Sequence, residues 1–439
     1  MLEQATGREW THRELAEEAR AISERLAAKE RDVVLIRADV SAGTVLHYLA
    51  ALVSGHAVLL VDASLDAELH DQLLRLYSPG FVVTSEGTID ERESTGPAPH
   101  PDLAVLLSTS GTTGSPKLVR LSLTNIEANA RSIAEYLGLD PSERAIASLP
   151  FHYSYGLSVL NSHLLAGGSL VLPEEGVIRP SFWDAFERYG CTSFAGVPYS
   201  YELLRRTGWE RRDLPTLRTM TQAGGRLAPE RQHMFAEELR RRGGRFVVMY
   251  GATEATARMS YVPPDRLDEK LGSIGVPIPG GRLAVMRDDE EVMEPGVSGE
   301  LVYHGPNVML GYAESREELA LGDVQQGTLA TGDLGHRDED GFFFVTGRSK
   351  RFVKLYGLRI NLDEVEHAVR GVGPVAAIGR DEAQIIVFLE EEHAADPAEV
   401  RQHLAERFKL NSRALDVRTI ARLPTTPAGK IDYTTLARA

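Results

Sequence analysis

Short strand-like segments and helix-like segments alternate along most of the chain, and this alternation constrains the fold more than any other feature. The buried-strand pattern "VVLI" precedes the helical pattern "SAGTVLHYLAALVSG", and the strand pattern "AVLLV" follows. The same succession returns in "LVL", "SFWDAFERYG", "SFAGV" and "YELLRRTG". Strands that alternate with helices form βαβ units, which build mostly parallel sheets covered by helices. The sequence therefore predicts an α/β fold.

The character of the sequence changes near Gly347. The stretch "GRSKRFVKLYGLRINLDEVE" is first basic and then acidic, and short strand and helix patterns follow it. We predict a large domain over residues 1–347 and a small, mobile α+β domain over residues 348–439. A large sheet domain with a small mobile one suits an enzyme with a lid. Residues 87–102, which are rich in Pro, Gly and charge, are predicted to be a loop.

Composition excludes several classes of partner. The 439 residues carry a formal net charge of −15, which disfavours binding to nucleic acid or to an anionic membrane. Cys191 is the only cysteine, so neither a disulfide framework nor a cysteine metal site is expected. No segment approaches about 18 unbroken apolar residues, so no membrane span is expected. The first residues have no secretory apolar core, and a cytoplasmic enzyme is predicted.

The loop "STSGTTGSPK" is dense in small hydrogen-bond donors and follows the apolar strand "LAVLL". Its glycines let backbone N–H groups converge, and Lys117 adds a positive charge, which together suit a polyphosphate. It is not a Walker loop, because Ser-Pro separates the second glycine from Lys117. We interpret it as a strand-to-helix loop, and the alternative is a flexible surface loop. The candidate phosphate-binding residues are Ser108, Thr109, Ser110, Gly111, Thr112, Thr113 and Lys117.

This loop resembles the signature of the adenylate-forming enzymes, which include acyl-CoA synthetases, luciferases and peptide-synthetase adenylation domains. Six further family blocks follow in order: "YGATEA", "GSIGVPIPG", "GELVYHGPNVMLGY", "TGDLG", "GRSKRFVKLYGLRI" and "LPTTPAGKID". The resemblance covers nearly the whole chain. It implies that ATP activates a small carboxylic acid as an acyl-adenylate, with release of pyrophosphate, before transfer to a thiol. The implied cofactors are ATP, Mg²⁺ and either coenzyme A or the phosphopantetheine of a carrier protein.

The block "YGATEA" carries the residues that the resemblance assigns to the nucleotide. Glu254 resembles the Mg²⁺ ligand, and Thr253 resembles the residue that hydrogen-bonds the α-phosphate. Tyr250 is expected to lie against adenine beside Gly251, and the alternative for Tyr250 is a core aromatic. The family often has Asn where this chain has Val248, which weakens the expectation for adenine.

The later blocks carry residues for ribose and for catalysis. Asp333 and Arg348 resemble the pair that reaches the ribose hydroxyls. Lys430 resembles the catalytic lysine, whose ammonium bridges the substrate carboxylate and the α-phosphate. Lys350 matches the hinge position about which the small domain rotates between the two half-reactions. Lys354 matches a second lysine that contacts the phosphate or the intermediate.

The acid pocket is predicted from the blocks "LPFHYSYGL", "SFAGVPYSY" and "TQAGGRL". His152 is the candidate for contact with the acid, and the alternative is a histidine that is satisfied in the core. The middle block has no Asp, which disfavours an α-amino acid. Aromatic and aliphatic acids both stay open. The other pocket candidates are Tyr153, Phe194, Ala223 and Gly225, with Gly224 assigned to the nucleotide.

The sequence leaves open which molecule accepts the acyl group. The first interpretation is a carboxylate–CoA ligase, although basic residues for the phosphates of coenzyme A are not evident. The second is a stand-alone adenylating enzyme that loads an acyl-carrier protein or forms an amide. The third is a binding or regulatory relative without activity, and the presence of Thr253, Glu254, Asp333 and Lys430 argues against it.

Overall fold

The computed structural model describes residues 1–108, 117–288, 290–348, 352–355, 358–380, 384–393, 395–408, 410–426 and 431–438. The chain divides into two compact units. The first comprises Met1–Leu283 and Tyr303–Leu329, and the second Ala284–Val302 and Ala330–Ala439. This division rests on compactness, and the domain boundary expected between residues 347 and 348 stays a prediction.

Helices occur in both units. The described α-helices are α1 His12–Leu26, α2 Ala42–Val53, α3 Ala67–Tyr77, α4 Leu123–Leu137, α5 Ser154–Leu165, α6 Pro180–Arg188, α7 Pro198–Thr207, α8 Pro229–Arg241, α9 Leu362–Ala368, α10 Pro397–Phe408 and α11 Tyr433–Leu436. Short 3₁₀ segments are Trp209–Arg211, Thr253–Ala255, Glu317–Ala320, Arg370–Val372, Glu391–His393 and Ser412–Ala414.

Strands also occur in both units. They are β1 Leu2–Glu3, β2 Val33–Ala38, β3 Ala57–Asp62, β4 Phe81–Val83, β5 Ile89–Glu91, β6 Leu103–Ser108, β7 Leu118–Ser122, β8 Arg144–Ile146, β9 Ser169–Leu172, β10 Ser193–Gly196, β11 Thr219–Gln222, β12 Arg245–Tyr250, β13 Ser260–Tyr261, β14 Val276–Pro277, β15 Arg282–Arg287, β16 Glu290–Glu291, β17 Gly299–His304, β18 Gly311–Ala313, β19 Thr328–Arg337, β20 Phe343–Arg348, β21 Phe352–Leu355, β22 Leu358–Asn361, β23 Val375–Arg380, β24 Gln384–Glu390 and β25 Leu415–Ile420.

The first helix shows why the sequence pattern becomes structure. Thr11 caps α1 by accepting a hydrogen bond from the Glu14 amide, and the Glu14 carboxylate accepts one from the Thr11 amide at 2.8 Å. This capping box satisfies backbone donors that the first turn would leave unpaired. Leu15, Ala19 and Leu26 recur at helical spacing and are all buried.

Two large sheets, each with a run of parallel strands, form the first unit. The eight-stranded sheet has the order β1-β9-β8-β10-β11-β12-β13-β14, and its first six strands are parallel. The seven-stranded sheet has the order β18-β7-β6-β3-β2-β4-β5, with parallel pairing through β6, β3, β2 and β4. The expected α/β fold is confirmed. The carboxyl ends of β6, β11 and β12 lead into the segments expected to bind substrate.

The second unit contains smaller sheets. The five-stranded sheet has the order β16-β15-β17-β19-β20. The chain passes from the first unit into the second at residue 284, returns at residue 303 and passes into the second again at residue 330. A hairpin of β21 and β22 and a three-stranded sheet of β23, β24 and β25 follow. A core cluster that includes Val365, Ile385, Val387 and Leu404 packs beneath the three-stranded sheet.

Two expectations are corrected by the structure. The signature loop does not lead directly into a helix, because Leu118–Ser122 forms β7, antiparallel to β6, before α4 begins at Leu123. All five residues of β7 are buried, so the segment pairs with β6 rather than extending the helix. Residues 87–102 are also not loop throughout, since Ile89–Glu91 pairs with β4.

The structure also bears on membrane-spanning helices and on the single cysteine. No helix within the described ranges has the length and apolarity needed to cross a membrane. Cys191 is a buried free thiol, and burial raises its pKa to about 12. It is therefore a small core residue, as expected from the sequence.

Candidate active site

A carboxylate and a tyrosine form the centre of the site. Glu254 lies in the 3₁₀ turn Thr253–Ala255, directly after β12, and its carbonyl accepts a hydrogen bond from the Met309 amide at 2.9 Å. The hydroxyl of Tyr312 donates a hydrogen bond of 2.9 Å to Oε1 of Glu254. Burial and the charge of Glu254 raise the pKa of Tyr312, so its hydroxyl stays protonated and keeps donating.

Lys117 joins this pair through the ring of the same tyrosine. Its Nζ lies 3.7 Å from the centroid of the Tyr312 ring and 3.8 Å from a carboxylate oxygen of Glu314. The pairing of β18 with β7 produces this contact, because Tyr312 lies opposite Val119. A cation over an aromatic face is attracted by the ring quadrupole. The cluster Lys117–Tyr312–Glu254 therefore combines an ammonium with a held carboxylate.

The two described ends of the signature loop meet beside this cluster. Ser108 ends β6 and pairs with Leu118 at the start of β7, so Ser108 lies close to Lys117. Ser108 is exposed. The remaining loop candidates lie outside the described residues: Thr109, Ser110, Gly111, Thr112 and Thr113.

Glu254 fits the role of a magnesium ligand that shares the cation with a substrate. Its Oε1 is fixed by Tyr312, which orients Oε2 as a carboxylate oxygen of the kind that Mg²⁺ prefers. In the described part of the chain no group of three or more His, Cys, Asp or Glu side chains could form an all-protein metal site. Bound Mg²⁺ commonly takes its other ligands from phosphates and water.

The turn after Glu254 is held by side chains from elsewhere in the first unit. Thr256 has a φ of +64°, which is strained for a β-branched residue, and its hydroxyl donates to the Asn307 carbonyl at 2.7 Å. Asn307 Nδ2 donates to the carbonyls of Ala255 and Arg258 at 2.9 Å each. Glycine is required at Gly251, because an added Cβ would collide with the Ala257 carbonyl. These hydrogen bonds and this close packing hold the backbone of the Thr253–Arg258 turn in one conformation.

Thr253 is buried and its hydroxyl lies 3.2 Å from that of Ser154 at the start of α5. This contact connects the nucleotide motif with the block expected to bind the acid. Tyr250 ends β12 opposite Ser260 and is partly exposed. Val248, which stands where the family often has Asn, is buried in β12.

His152 lies in the turn before α5. Its Nε2 is 3.7 Å from Oδ2 of Asp62, while its Nδ1 is buried without a hydrogen-bond partner among the described residues. Burial lowers the pKa of His152, and the charge of Asp62 with a backbone hydrogen bond at Ala38 opposes this only in part. The imidazole is therefore largely neutral near pH 7. The unpaired nitrogen argues against a core histidine whose hydrogen bonds are all satisfied.

Small residues and a tyrosine border the neighbouring wall. Gly224 has a φ of +80°, and an added Cβ would collide with the Tyr153 hydroxyl and lie 3.1 Å from Val197. A Cβ at Gly225 would lie 3.2 Å from Pro198. Ala223 is buried and follows directly after β11. The structure thus brings Tyr153 and the three small residues together, and their role in binding an acid stays a prediction.

Phe194 is placed differently from the other pocket candidates. Its ring belongs to an aromatic cluster, with centroids 6.2 Å from Phe182, 6.0 Å from Trp183 and 6.1 Å from Tyr201. The residue also borders a small cavity between the eight-stranded sheet and helices α4 and α5. The ring packs in the core, and β10 presents the residue to the cavity.

Arg258 lines the same cavity and was not identified from the sequence. It is 3% exposed, and its guanidinium carbon lies 3.8 Å from the centroid of the Tyr155 ring. Its Nε has no hydrogen-bond partner among the described residues. Removing such an ion from water costs several kcal/mol, whereas a desolvated cation–π contact returns about 2 kcal/mol. The contact with the Tyr155 ring alone therefore does not offset the desolvation cost of the Arg258 guanidinium.

In the second unit, the two residues assigned to ribose are neighbours. Asp333 in β19 pairs with Arg348 at the end of β20, and Arg348 Nε donates to Asp333 Oδ1 at 3.0 Å. Asp333 is buried, whereas the Arg348 side chain is 65% exposed. Lys350 and Lys430 lie outside the described residues. The backbone of Lys354 lies in β21, and its side chain is outside the description.

Tyr312 and Arg258 are the two residues that sequence reasoning missed. Tyr312 closes the quoted block "GELVYHGPNVMLGY", so its place in a family block was the available signal. Arg258 lies four residues beyond Glu254, and a charged side chain there gives no sign that it is buried.

Comparison with known proteins agrees with this geometry. The model of the AMP-binding enzyme family matches residues 2–313, and the chain belongs to that family. Sulfoacetate–CoA ligase of Cupriavidus necator is 33% identical over 76% of this chain. Indoleacetate–CoA ligase of Aromatoleum aromaticum is 32% identical over 74% of it. These alignments cover 67% and 64% of the two relatives, so the chain spans about two thirds of their length.

A solved structure is similar along nearly the whole chain. It is O-succinylbenzoate coenzyme A synthetase of Bacillus subtilis in complex with ATP and magnesium ion, with a TM-score of 0.78 and 25% identity. The similarity covers 97% of this chain and 94% of that one.

Proposed function

We propose that the chain is an AMP-forming acid–thiol ligase that activates a small carboxylic acid with ATP and transfers the acyl group to coenzyme A. The observation that carries this proposal is the cluster Lys117–Tyr312–Glu254. In this cluster Lys117, at the end of the loop rich in Ser, Thr and Gly, and the carboxylate of Glu254 contact the same tyrosine. Membership of the AMP-binding enzyme family supports the same chemistry.

In the proposed first step, a carboxylate oxygen of the acid attacks the α-phosphorus of ATP. The bond from that phosphorus to the bridging oxygen breaks, and pyrophosphate leaves. A carboxylate is already ionised near pH 7, so the step needs positioning and charge neutralisation rather than a general base. Lys117 holds the phosphates, Thr253 donates to the α-phosphate, and Glu254 binds Mg²⁺, which supplies positive charge against the phosphate oxygens.

In the proposed second step, the sulfur of a thiol attacks the acyl carbon, and the bond from that carbon to the phosphate oxygen of AMP breaks. AMP leaves, and the proton of the thiol is released to solvent. Asp333 and Arg348 hold the ribose hydroxyls through both steps. Lys430 acts in the first step only, and a small domain of residues 348–439 rotates about Lys350 between the steps. Lys354 contacts the phosphate or the intermediate. Coenzyme A is the thiol in the names of the sulfoacetate and indoleacetate ligases, which favours it here. We place the enzyme in the cytoplasm, where ATP and coenzyme A are available.

The test is acid-dependent exchange of labelled pyrophosphate into ATP, screened over aryl, short-chain, long-chain and amino acids. We expect one acid class to support exchange, and Glu254→Gln to lower the rate by about 10²–10³. Glu127→Gln, which removes the same charge from an exposed position on α4, is the matched control. A folded protein that supports no exchange with any acid would contradict the proposal.

The acceptor is tested separately. With the active acid, coenzyme A, a phosphopantetheinylated carrier protein and simple amines are compared as acceptors of the acyl group. Acyl-CoA as the main product supports the proposal. A product on the carrier protein or the amine alone would instead assign the chain to the stand-alone adenylating enzymes.

A further inference from the structure

Arg258 is the one buried arginine of the described residues whose guanidinium charge is matched by neither a carboxylate nor backbone carbonyls. Arg316 pairs with Asp32 at 2.7 Å. Arg120 donates to four backbone carbonyls, including those of Tyr312 at 3.0 Å and Leu310 at 3.3 Å. Arg258 lies over the ring of Tyr155, and its buried Nε is unpaired within the described part of the unit.

The undescribed part of the first unit supplies no carboxylate side chain to pair with Arg258. The stretch of this unit that the structure does not describe, residues 109–116, reads "TSGTTGSP" and contains no Asp or Glu. The groups around Arg258 are the phenols of Tyr136, Tyr153 and Tyr155. Burial raises the pKa of each, so all three are neutral and supply no counter-charge.

A series of side-chain contacts connects Arg258 with the predicted acid site. Arg258 lies over the ring of Tyr155, and that ring is edge-on to Tyr153 at 6.3 Å. Tyr153 borders Gly224, and Ser154, between the two tyrosines, contacts Thr253. These contacts lead from Thr253, the residue proposed for the α-phosphate, past the two tyrosines to Arg258.

The cavity beside Arg258 has both apolar and polar lining residues. Ile133, Val159 and Met249 provide apolar contacts, while Ser158 and Thr221 add hydroxyls. A buried guanidinium with unused donors binds a planar anion such as a carboxylate in a fixed orientation. An apolar acyl tail would leave that charge desolvated and unpaired.

We propose that Arg258 binds a second anionic group on the acid, so that the preferred substrate is a small acid with an additional carboxylate or sulfonate. This inference rests on the proposed function and names the substrate class for the same site. The first anionic group reacts at Thr253, and the second pairs with Arg258. The fixed Thr253–Arg258 turn sets the separation between them.

The experiment compares each dianionic acid with its neutral amide isostere in acid-dependent pyrophosphate release at constant ionic strength. Succinate is paired with succinamate, glutarate with glutaramate, and aromatic acids with a second carboxylate or sulfonate with their amides. We expect wild-type kcat/KM to favour the dianion by roughly 10- to 100-fold in the best pair. Arg258→Met should abolish or reverse that preference, and Arg258→Lys should keep part of it.

Arg131→Met is the matched control, because it removes the same charge from an exposed position on α4, and it should keep the wild-type ratio. A wild-type enzyme that activates neutral acids as well as dianions overturns the inference while leaving the proposed function intact. Equal loss for both members of a pair in Arg258→Met also overturns it. Should that variant not fold, the wild-type ratio and Arg258→Lys decide. A folded enzyme that binds MgATP but activates no acid contradicts the proposed function itself.

Discussion

The hydroxyl of Tyr312 donates a 2.9 Å hydrogen bond to Oε1 of Glu254. The two residues lie in segments that are far apart in sequence, and the hydrogen bond from the Met309 amide to the Glu254 carbonyl connects these segments. Because Lys117 lies over the same ring, one tyrosine touches both the proposed phosphate-binding cation and the proposed metal ligand. We therefore propose that Tyr312 is a positioning residue for magnesium binding.

Replacing Tyr312 by Phe keeps the ring under Lys117 and removes only the hydrogen bond to Glu254. A single hydrogen bond of this kind contributes about 0.5–1.5 kcal/mol, so the Mg²⁺ concentration for half-maximal pyrophosphate release should rise about 2- to 10-fold. The measurement is a magnesium titration at fixed ATP. The KM for the acid should not change, and Tyr189→Phe should match wild type. An unaltered magnesium dependence in Tyr312→Phe would refute the positioning role.

Lys430 is predicted to act in the adenylation step alone. Lys430→Ala should reduce pyrophosphate release by about 10²-fold or more, because one charge-stabilising group is lost from the transition state. Thioester formation from a supplied acyl-adenylate should stay within a few fold of wild type. Lys409→Ala serves as the comparison, since it removes another lysine from the same part of the chain. Equal loss in both half-reactions would show that the two steps share the lysine.

Gly224 combines a left-handed backbone with a close neighbour. The φ of +80° alone makes Gly224→Ala cost about 1–2 kcal/mol of folding free energy, and the collision with the Tyr153 hydroxyl adds to this. In the double variant Gly224→Ala with Tyr153→Phe, the hydroxyl is absent, so the free energy lost through the collision should be regained. The free energy lost through the positive φ should not be regained. Denaturant unfolding midpoints measure both effects.

The control for this pair is Gly176→Ala, where an added Cβ meets nothing within 4 Å and φ is not positive. That variant should be as stable as wild type or slightly more so, because alanine restricts the unfolded chain. Equal destabilisation at Gly176 and Gly224 would show that the local geometry of Gly224 is not the cause.

Stability should fall in mild acid, with His152 contributing. Burial holds the folded pKa of His152 below the ordinary 6.5, so the unfolded chain binds the additional proton first. The free energy of unfolding therefore drops as the pH falls from 6.5 towards the folded pKa, by at most about 1.4 kcal/mol per pH unit for one group. His47 and His163 have pKa values lowered by burial and add to the same slope.

His152→Gln should make the free energy of unfolding depend less steeply on pH, because one of the three histidines no longer takes up a proton on unfolding. The contributions of His47 and His163 should remain. Unfolding free energies measured between pH 5 and pH 7.5 test this, with exposed His403→Gln as the comparison. If the slope in His152→Gln equals that of wild type, His152 takes up no additional proton on unfolding.

The periodic elements could be predicted because their patterns are local. The segment "PAEVRQHLAERFK" becomes α10, Pro397–Phe408, and "AQIIVFLE" becomes β24, Gln384–Glu390. Strand β7 could not, because its five residues are all buried, show no alternation and run directly into the start of α4. A short strand of this kind is defined by its partners rather than by its own pattern.

The candidate site also contains residues that could be predicted from the sequence and residues that could not. Thr253, Glu254 and Asp333 occupy family motifs, so their residue types and order were sufficient to propose them. Arg258 could not be recognised, because its burial depends on Asn129 and Asn307, which hold its carbonyl from remote segments. A charged side chain is usually solvated, and only tertiary structure shows the exception.

The turn from Thr253 to Arg258 has a consequence for how such a protein diversifies. Its six residues contain the proposed groups for the phosphate, the metal and the distal end of the acid. Gly251 packs so closely beneath it that a displacement at one end is transmitted to the other. Exchanging one organic acid for another during evolution would then disturb ATP use as well, so new specificities should arise through compensating pairs of changes rather than single ones.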